Sequence, residues 1–188
     1  MKLIISDCDG VILDFHKAFE QFVSRYYPDI TLDNTDYALG LTAQEMYNIV
    51  NEFNTDFSFS RLEALGDSLE YVAKLQEEFD YKFVAITTCL GTERTKVMRE
   101  LNLRTLFGYS TFEEIICLPI GTSKFGALQK FEPTYYCDDK LKHCESAVKA
   151  GHTAFKMLHS YNIENERPDT IVPVHDWKTI YEYVKSRT

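Results

Sequence analysis

The sequence predicts an α/β protein with a Rossmann-like parallel sheet and a small helical cap inserted after the first strand. An apolar run, Leu3–Ile5, leads directly into an acidic turn. From residue 81 onward, short apolar runs alternate with helical patterns, which is typical of a parallel sheet with right-handed crossovers. The region between the acidic turn and residue 81 contains only helical patterns. We therefore predict an α/β core from residues 1–14 and 81–188, and a helical cap at residues 15–80.

The acidic turn after the first strand is the most informative local feature. Asp7 and Asp9 are two residues apart, so strand alternation directs both carboxylates to the same side. Two such charges repel unless a cation lies between them or one keeps its proton. Carboxylates with waters and a substrate phosphate are typical ligands of Mg2+. Gly10 permits the sharp turn that follows.

The predicted cap consists of three helices. The first carries an apolar stripe from Phe15 to Tyr26 and ends at Pro28. Residues 28–41 are predicted to be a loop, and Thr42–Glu45 fits a capping box for the second helix. The third helix is predicted to begin near Asp67.

The second half of the chain predicts strands followed by helices. The strands are expected at 83–86, 115–118, 135–137, 153–156 and 171–174, and the helices at 93–101, 123–131, 141–150 and from Asp176 onward. Ligands of such sheets gather at the carboxyl ends of the strands. Asp7, Thr87, Thr88 and Asp139 all fall at such ends.

Two further segments carry charged residues at suggestive positions. Thr122 is predicted to cap a helix, which puts Lys124 in the first turn. A lysine there is mildly unfavourable against the helix dipole unless an anion binds nearby. Asp138 and Asp139 follow a predicted strand and open the next helix.

The octet from Asp7 to Asp14 resembles the first motif of the haloacid dehalogenase-like (HAD) phosphohydrolases, and the later segments match the other three motifs in order. The resemblance implies the HAD fold, with Asp7 as nucleophile and Asp9 as general acid/base. It further implies that Thr87 or Thr88 and Lys124 hold the transferring phosphoryl group. The Mg2+ ligands would be Asp7, Asp139 and the backbone carbonyl of Asp9, with Asp138 in support.

Within this superfamily the sequence is most similar to the 5′(3′)-deoxyribonucleotidases, through Asp14–Phe15 and Leu62–Leu65. In that group an aromatic matching Phe15 borders the nucleoside, so we place Phe15 and Gly10 among the substrate-binding residues. The resulting prediction is a Mg2+-dependent phosphomonoester hydrolase that forms an aspartyl-phosphate and acts on nucleoside monophosphates. The alternatives are a phosphatase of sugar phosphates or other small metabolites, a phosphomutase, and a phosphate-sensing protein without turnover.

Bulk properties limit the partners. The net charge of −9 argues against binding duplex nucleic acid. No apolar stretch is long enough to span a membrane, and a cytoplasmic location is expected because the functional aspartates begin at residue 7. The five cysteines lack paired spacing, which predicts reduced thiols. A thiolate metal site from Cys8, Cys89, Cys137 and His143 is a weaker alternative. The expected partner is a small phosphorylated metabolite, and a homodimer stays open.

Overall fold

A parallel six-stranded sheet forms the centre of the protein. The computed structural model describes residues 2–32, 41–163 and 168–188. The strands are β1 Lys2–Ser6, β2 Tyr81–Cys89, β3 Phe112–Pro119, β4 Tyr135–Asp138, β5 Thr153–Met157 and β6 Ile171–Val174. Their order is β3-β2-β1-β4-β5-β6, and every neighbouring pair is parallel. The predicted α/β class and parallel sheet are confirmed.

Seven α-helices are assigned in the described ranges. They are α1 Phe15–Tyr26, α2 Ala43–Thr55, α3 Ser68–Phe79, α4 Glu93–Phe107, α5 Phe125–Leu128, α6 Leu141–Lys149 and α7 Trp177–Lys185, and a 3₁₀ helix spans Phe57–Arg61. None of these helices is long and apolar enough to cross a membrane.

The helices between β1 and β2 divide into two packing groups. Helices α1 and α2 pack with the 3₁₀ helix, whereas α3 contacts β2 and α7. Asp67 accepts hydrogen bonds from the backbone N–H groups of Trp177 and Lys178, at 3.0 and 3.1 Å. The division of the chain at residue 80 stays a prediction, and α3 lies against the sheet rather than against the other cap helices.

Local sequence signals explain several helix boundaries. The capping box at Thr42 is present, because its hydroxyl accepts from the N–H of Glu45 and the Glu45 carboxylate accepts from the N–H of Thr42. Asp176 caps α7 through the N–H of Thr179.

The predicted helix cap at Thr122 is wrong. Helix α5 begins at Phe125, and Lys124 is the residue before it. The helix is a single turn, and Gly126 within it is a poor helix former. Part of the predicted loop at 28–41 lies outside the described residues.

Candidate active site

Asp7 lies at the carboxyl edge of the sheet, immediately after the central strand β1. Its backbone N–H donates to the carbonyl of Cys137 in β4 at 2.8 Å, which extends the strand pairing by one residue. One carboxylate oxygen, Oδ1, accepts from the N–H of Cys8 at 2.7 Å. The other, Oδ2, lies 2.9 Å from Nζ of Lys124. The Asp7 side chain is therefore held on both oxygens at the point where β2, β1 and β4 meet.

Lys124 links Asp7 to Asp138 beneath the sheet edge. Its side chain is fully buried, and Nζ lies 2.7 Å from Oδ2 of Asp138. Asp138 also accepts hydrogen bonds from the hydroxyl of Tyr136 and, at 2.8 Å, from the N–H of Lys140. Burial alone lowers the pKa of Lys124, but the carboxylates of Asp138 and Asp7 more than offset this effect and raise it. Lys124 is therefore a permanent cation whose position Asp138 fixes.

Asp139 completes a buried acidic group with the two neighbouring carboxylates. Oxygen atoms of Asp7, Asp138 and Asp139 lie within 4.8 Å of one another, the one arrangement in the described ranges that could hold a metal ion. Cys8, Cys89, Cys137 and His143 do not form such a group there. Oδ1 of Asp139 is buried without a hydrogen-bond partner. Hard oxygen donors with one uncommitted carboxylate oxygen fit Mg2+.

The acidic group contains more negative charge than its surroundings neutralise. Burial raises the pKa of Asp7 to about 6, although Lys124 acts in the opposite direction. Burial, with the charges of Asp138 and Asp7, raises the pKa of Asp139 to about 8. Like charges and desolvation both disfavour ionised carboxylates. A divalent cation among these oxygens would supply the missing positive charge.

A cavity of about 150 Å³ opens above these carboxylates. Its walls carry most of the predicted site residues together with four that were not predicted: Asp7, Asp9, Phe15, Val50, Asn54, Thr87, Thr88, Ile120, Asp139 and Lys140. The hydroxyl of Thr87 is buried and has no hydrogen-bond partner, whereas Thr88 is partly exposed. Because buried hydroxyls rarely lack a partner, Thr87 is suited to donate to a ligand in this cavity.

Helices α1 and α2 form an apolar side of the cavity through Phe15 and Val50. Phe15 stacks on Phe19, with ring centroids 5.5 Å apart, and meets Phe53 edge-on at 5.2 Å. Asn54 joins the cap to the core, since its Oδ1 accepts from the N–H of Leu90 at 3.1 Å. The ring of Phe15 thus borders the cavity and also belongs to the aromatic cluster between α1 and α2.

Gly10 lies outside this cavity, although it was predicted to bind substrate. It lines a neighbouring cavity of about 230 Å³ with His16, His159 and Tyr161. Its φ angle is +72°, and a Cβ there would approach the hydroxyl of Tyr161 to 2.8 Å. Nε2 of His159 lies 2.6 Å from the carbonyl oxygen of Gly10. Gly10 therefore allows the first turn to pack closely against the segment after β5.

Sequence reasoning also missed Tyr161 and Arg99, whose side chains contact predicted site residues. Tyr161 donates to Oδ2 of Asp139 at 2.8 Å, and Arg99 lies in an ion pair with Asp9. Arg99 lies on the inward face of α4 with Thr95 and Asn102, at positions i−4 and i+3. A polar run at helical spacing was the available signal. It was not decisive, because α4 lacks a clear apolar stripe against which to recognise it.

The six parallel strands and the helices around them form the HAD-like fold. No protein-family model matches the chain.

The chain is similar to known proteins in sequence and, separately, in fold. The chain is similar to an uncharacterized 32.4 kDa protein of Enterobacteria phage T4, at 29% identity over 164 residues covering 77% of this chain. The match covers 56% of that relative, so the chain spans about half of its length. Among solved structures, a HAD-like hydrolase family protein, SP0104 from Streptococcus pneumoniae, aligns at a TM-score of 0.66 and 14% identity, covering 98% of both chains.

Two more solved structures extend the comparison. A candidate β-phosphoglucomutase from Thermotoga maritima aligns at a TM-score of 0.65 and 16% identity over 100% of both chains. The candidate HAD-hydrolase YfnB from Bacillus subtilis, bound to magnesium, aligns at 0.60 and 16% identity over 98% of both chains.

Proposed function

We propose that the protein is a Mg2+-dependent phosphomonoester hydrolase of the HAD type that forms an aspartyl-phosphate on Asp7. The observation that carries the proposal is the shared cavity, in which Asp7 and Asp9 face the unpartnered Thr87 hydroxyl and the unpartnered Oδ1 of Asp139. Phosphoryl transfer through a covalent intermediate needs a nucleophile, a general acid/base, a hydrogen-bond donor to the phosphoryl group and a carboxylate that can bind a metal ion. These groups line the same cavity.

The chemistry follows from the contacts of each residue. Oδ1 of Asp7 is fixed by the N–H of Cys8, which aims the carboxylate into the cavity for attack on phosphorus. Asp9 would give its proton to the leaving oxygen as the bond between phosphorus and that oxygen breaks. It would then accept a proton from the water that hydrolyses the aspartyl-phosphate. Lys124, 2.9 Å from Oδ2 of Asp7, would balance charge on the nucleophile and the phosphoryl oxygens.

Magnesium would be held by Asp7 and Asp139, with the backbone carbonyl of Asp9 as the third protein ligand. When bound, it supplies positive charge that allows an anionic phosphate to approach an anionic carboxylate. Asp138 has its oxygens committed to Lys124, Tyr136 and Lys140, so its role would be to position Lys124 rather than to bind the ion.

Two substrate classes stay within the proposal. The resemblance of the sequence around Phe15 to deoxyribonucleotidases supports nucleoside monophosphates. The cavity of about 150 Å³ supports a smaller ester, because sites for drug-sized ligands have volumes of roughly 300–1,000 Å³. A nucleoside would require the cap helices to move away from the sheet edge. A phosphomutase is the other reaction compatible with the same pair of aspartates.

Phosphate release from p-nitrophenyl phosphate, deoxynucleoside monophosphates and hexose phosphates, with Mg2+ or with EDTA, tests the proposal. We expect Mg2+-stimulated release, and a loss of about a thousandfold or more in Asp7→Asn. Asp169→Asn, a change at an exposed carboxylate, is the matched control. Isomerisation of a hexose phosphate without phosphate release would favour the mutase, and an inactive wild type that binds the esters would favour a sensor.

A further inference from the structure

Arg99 is a fully buried cation that reaches the active site from a helix of the core. Its side chain has no exposed surface, and Nη2 lies 2.6 Å from Oδ1 and 2.7 Å from Oδ2 of Asp9. The Asp9 side chain is 23% exposed and lines the active-site cavity, whereas Arg99 does not line it. Arg99 therefore reaches the cavity through its ion pair with Asp9.

The surroundings of Arg99 fix its orientation. The guanidinium carbon lies 4.2 Å from the ring centroid of Phe59, in the 3₁₀ helix of the cap. One turn further along α4, Asn102 donates from Nδ2 to the carbonyl of Leu62 at 2.9 Å. The guanidinium is thus held between a cap ring and a cap-bound helix, with its Nη2 end directed at Asp9.

The stability of the fold does not account for this pair. Nε and Nη1 of Arg99 are buried and have no hydrogen-bond partner among the described residues. Burying a charge with part of its donor capacity unused is costly, and replacing buried ion pairs with apolar residues is often neutral or stabilising. A costly buried cation directed at one carboxylate is better explained by what that carboxylate does.

We propose that Arg99 is a positioning residue that holds the carboxyl group of Asp9 in place for proton transfer to the leaving oxygen. The inference rests on the proposed function. Arg99 itself neither gains nor loses a proton. Asp9 gives its proton to the departing alkoxide or phenoxide and later takes one from the attacking water. The guanidinium keeps the carboxylate from turning away between these two steps.

Two esters of similar size separate this role from a structural one. Phenyl phosphate needs acid assistance to its leaving oxygen, whereas p-nitrophenyl phosphate, with a much more stable phenoxide, needs little. For Arg99→Lys we expect kcat/KM for phenyl phosphate to fall about 10- to 100-fold, as part of the 10²–10⁴ that general acid catalysis contributes. For p-nitrophenyl phosphate the expected fall is under about threefold.

The controls make either outcome informative. Arg94→Met changes an exposed arginine of the same helix and should leave kcat/KM unaltered for both esters. In an Asp9→Asn background, Arg99→Lys should lower kcat/KM by less than about a further twofold, because the two residues act as one unit. Arg99→Met should reproduce the selective loss, and if it does not fold, Arg99→Lys decides the matter.

Three results would overturn the inference. One is an equal loss on both esters in Arg99→Lys, which would indicate a general structural role. Another is a full additional loss of activity in the Asp9→Asn background. The third is a wild type that hydrolyses neither these two esters nor the deoxynucleoside monophosphates and hexose phosphates, which would remove the proposed function as well. The first two leave the proposed function intact, so the two failures can be distinguished.

Discussion

The hydroxyl of Tyr161 donates to Oδ2 of Asp139 at 2.8 Å and leaves Oδ1 of the same carboxylate buried without a partner. The ring of Tyr161 is stacked on that of His159, with centroids 5.0 Å apart. Asn162 donates from Nδ2 to the backbone carbonyl of Asp139 at 2.8 Å. The segment after β5 therefore fixes both the main chain and one side-chain oxygen of Asp139.

Tyr161→Phe should weaken Mg2+ binding by about 10- to 100-fold, because partners that orient a metal-binding carboxylate typically have effects of this size. The stacked ring is retained, so the fold should be unaffected. The measurement is the Mg2+ concentration that gives half-maximal phosphate release, together with calorimetric titration of Mg2+. Tyr109→Phe, at a tyrosine that is 74% exposed, is the matched control. Unchanged Mg2+ affinity in Tyr161→Phe would contradict the interpretation.

Gly10→Ala should destabilise the protein by about 1–3 kcal/mol, because its φ of +72° disfavours a side chain. The added Cβ would also approach the Tyr161 hydroxyl to 2.8 Å and Oδ2 of Asp139 to 3.1 Å, so metal binding should weaken too. Gly126→Ala is the control, since a Cβ there meets nothing within 4 Å. Urea denaturation measures both variants. Equal stability of the two would show that Gly10 is replaceable.

The sequence was sufficient to predict the sheet and the residues at its carboxyl edge. Each strand is a compact apolar run, and a parallel sheet brings its carboxyl ends together whatever the loops do. Asp7, Asp9, Thr87 and Asp139 consequently share one cavity, as their positions after strands indicated.

The contacts made by helices and loops could not be read in the same way. The Arg99 pair depends on how α4 is rotated, and that helix mixes charged and apolar residues around its circumference. Tyr161 follows β5 by four residues, and nothing in its local sequence indicates that the chain turns back toward Asp139. Such contacts depend on tertiary packing rather than on a local period.

Thr87→Val should reduce kcat/KM about 10²- to 10³-fold, the usual loss when one donor to a developing negative charge is removed. The expectation rests on the buried, unpartnered hydroxyl of Thr87 in the cavity wall. Valine keeps the shape of the side chain and suits a strand. Thr88→Val, at the partly exposed neighbour, should have a clearly smaller effect. If Thr88→Val were the more damaging of the two in phosphate-release assays, the phosphate-binding hydroxyl would be that of Thr88.

The metal-free protein should lose stability as the pH rises from about 6.5 toward 8. The pKa of Asp139 is raised to about 8 by burial and by the charges of Asp138 and Asp7, so the folded state binds more protons than the unfolded state across this window. The free energy of unfolding should fall by up to about 1.4 kcal/mol per pH unit.

Thermal unfolding in EDTA between about pH 6.5 and 8 measures this slope, because the folded-state titrations of Asp7, His16 and His143 lie below this range. Asp139→Asn should flatten it, because the amide does not ionise. Saturating Mg2+ should reverse the trend in the wild type, adding about 2.7 kcal/mol at a concentration 100 times the dissociation constant. The stabilisation by Mg2+ should be largest at high pH, because the carboxylates that bind the ion are already ionised there. A metal-free slope that Asp139→Asn leaves unaltered would mean that another buried group carries the extra protons.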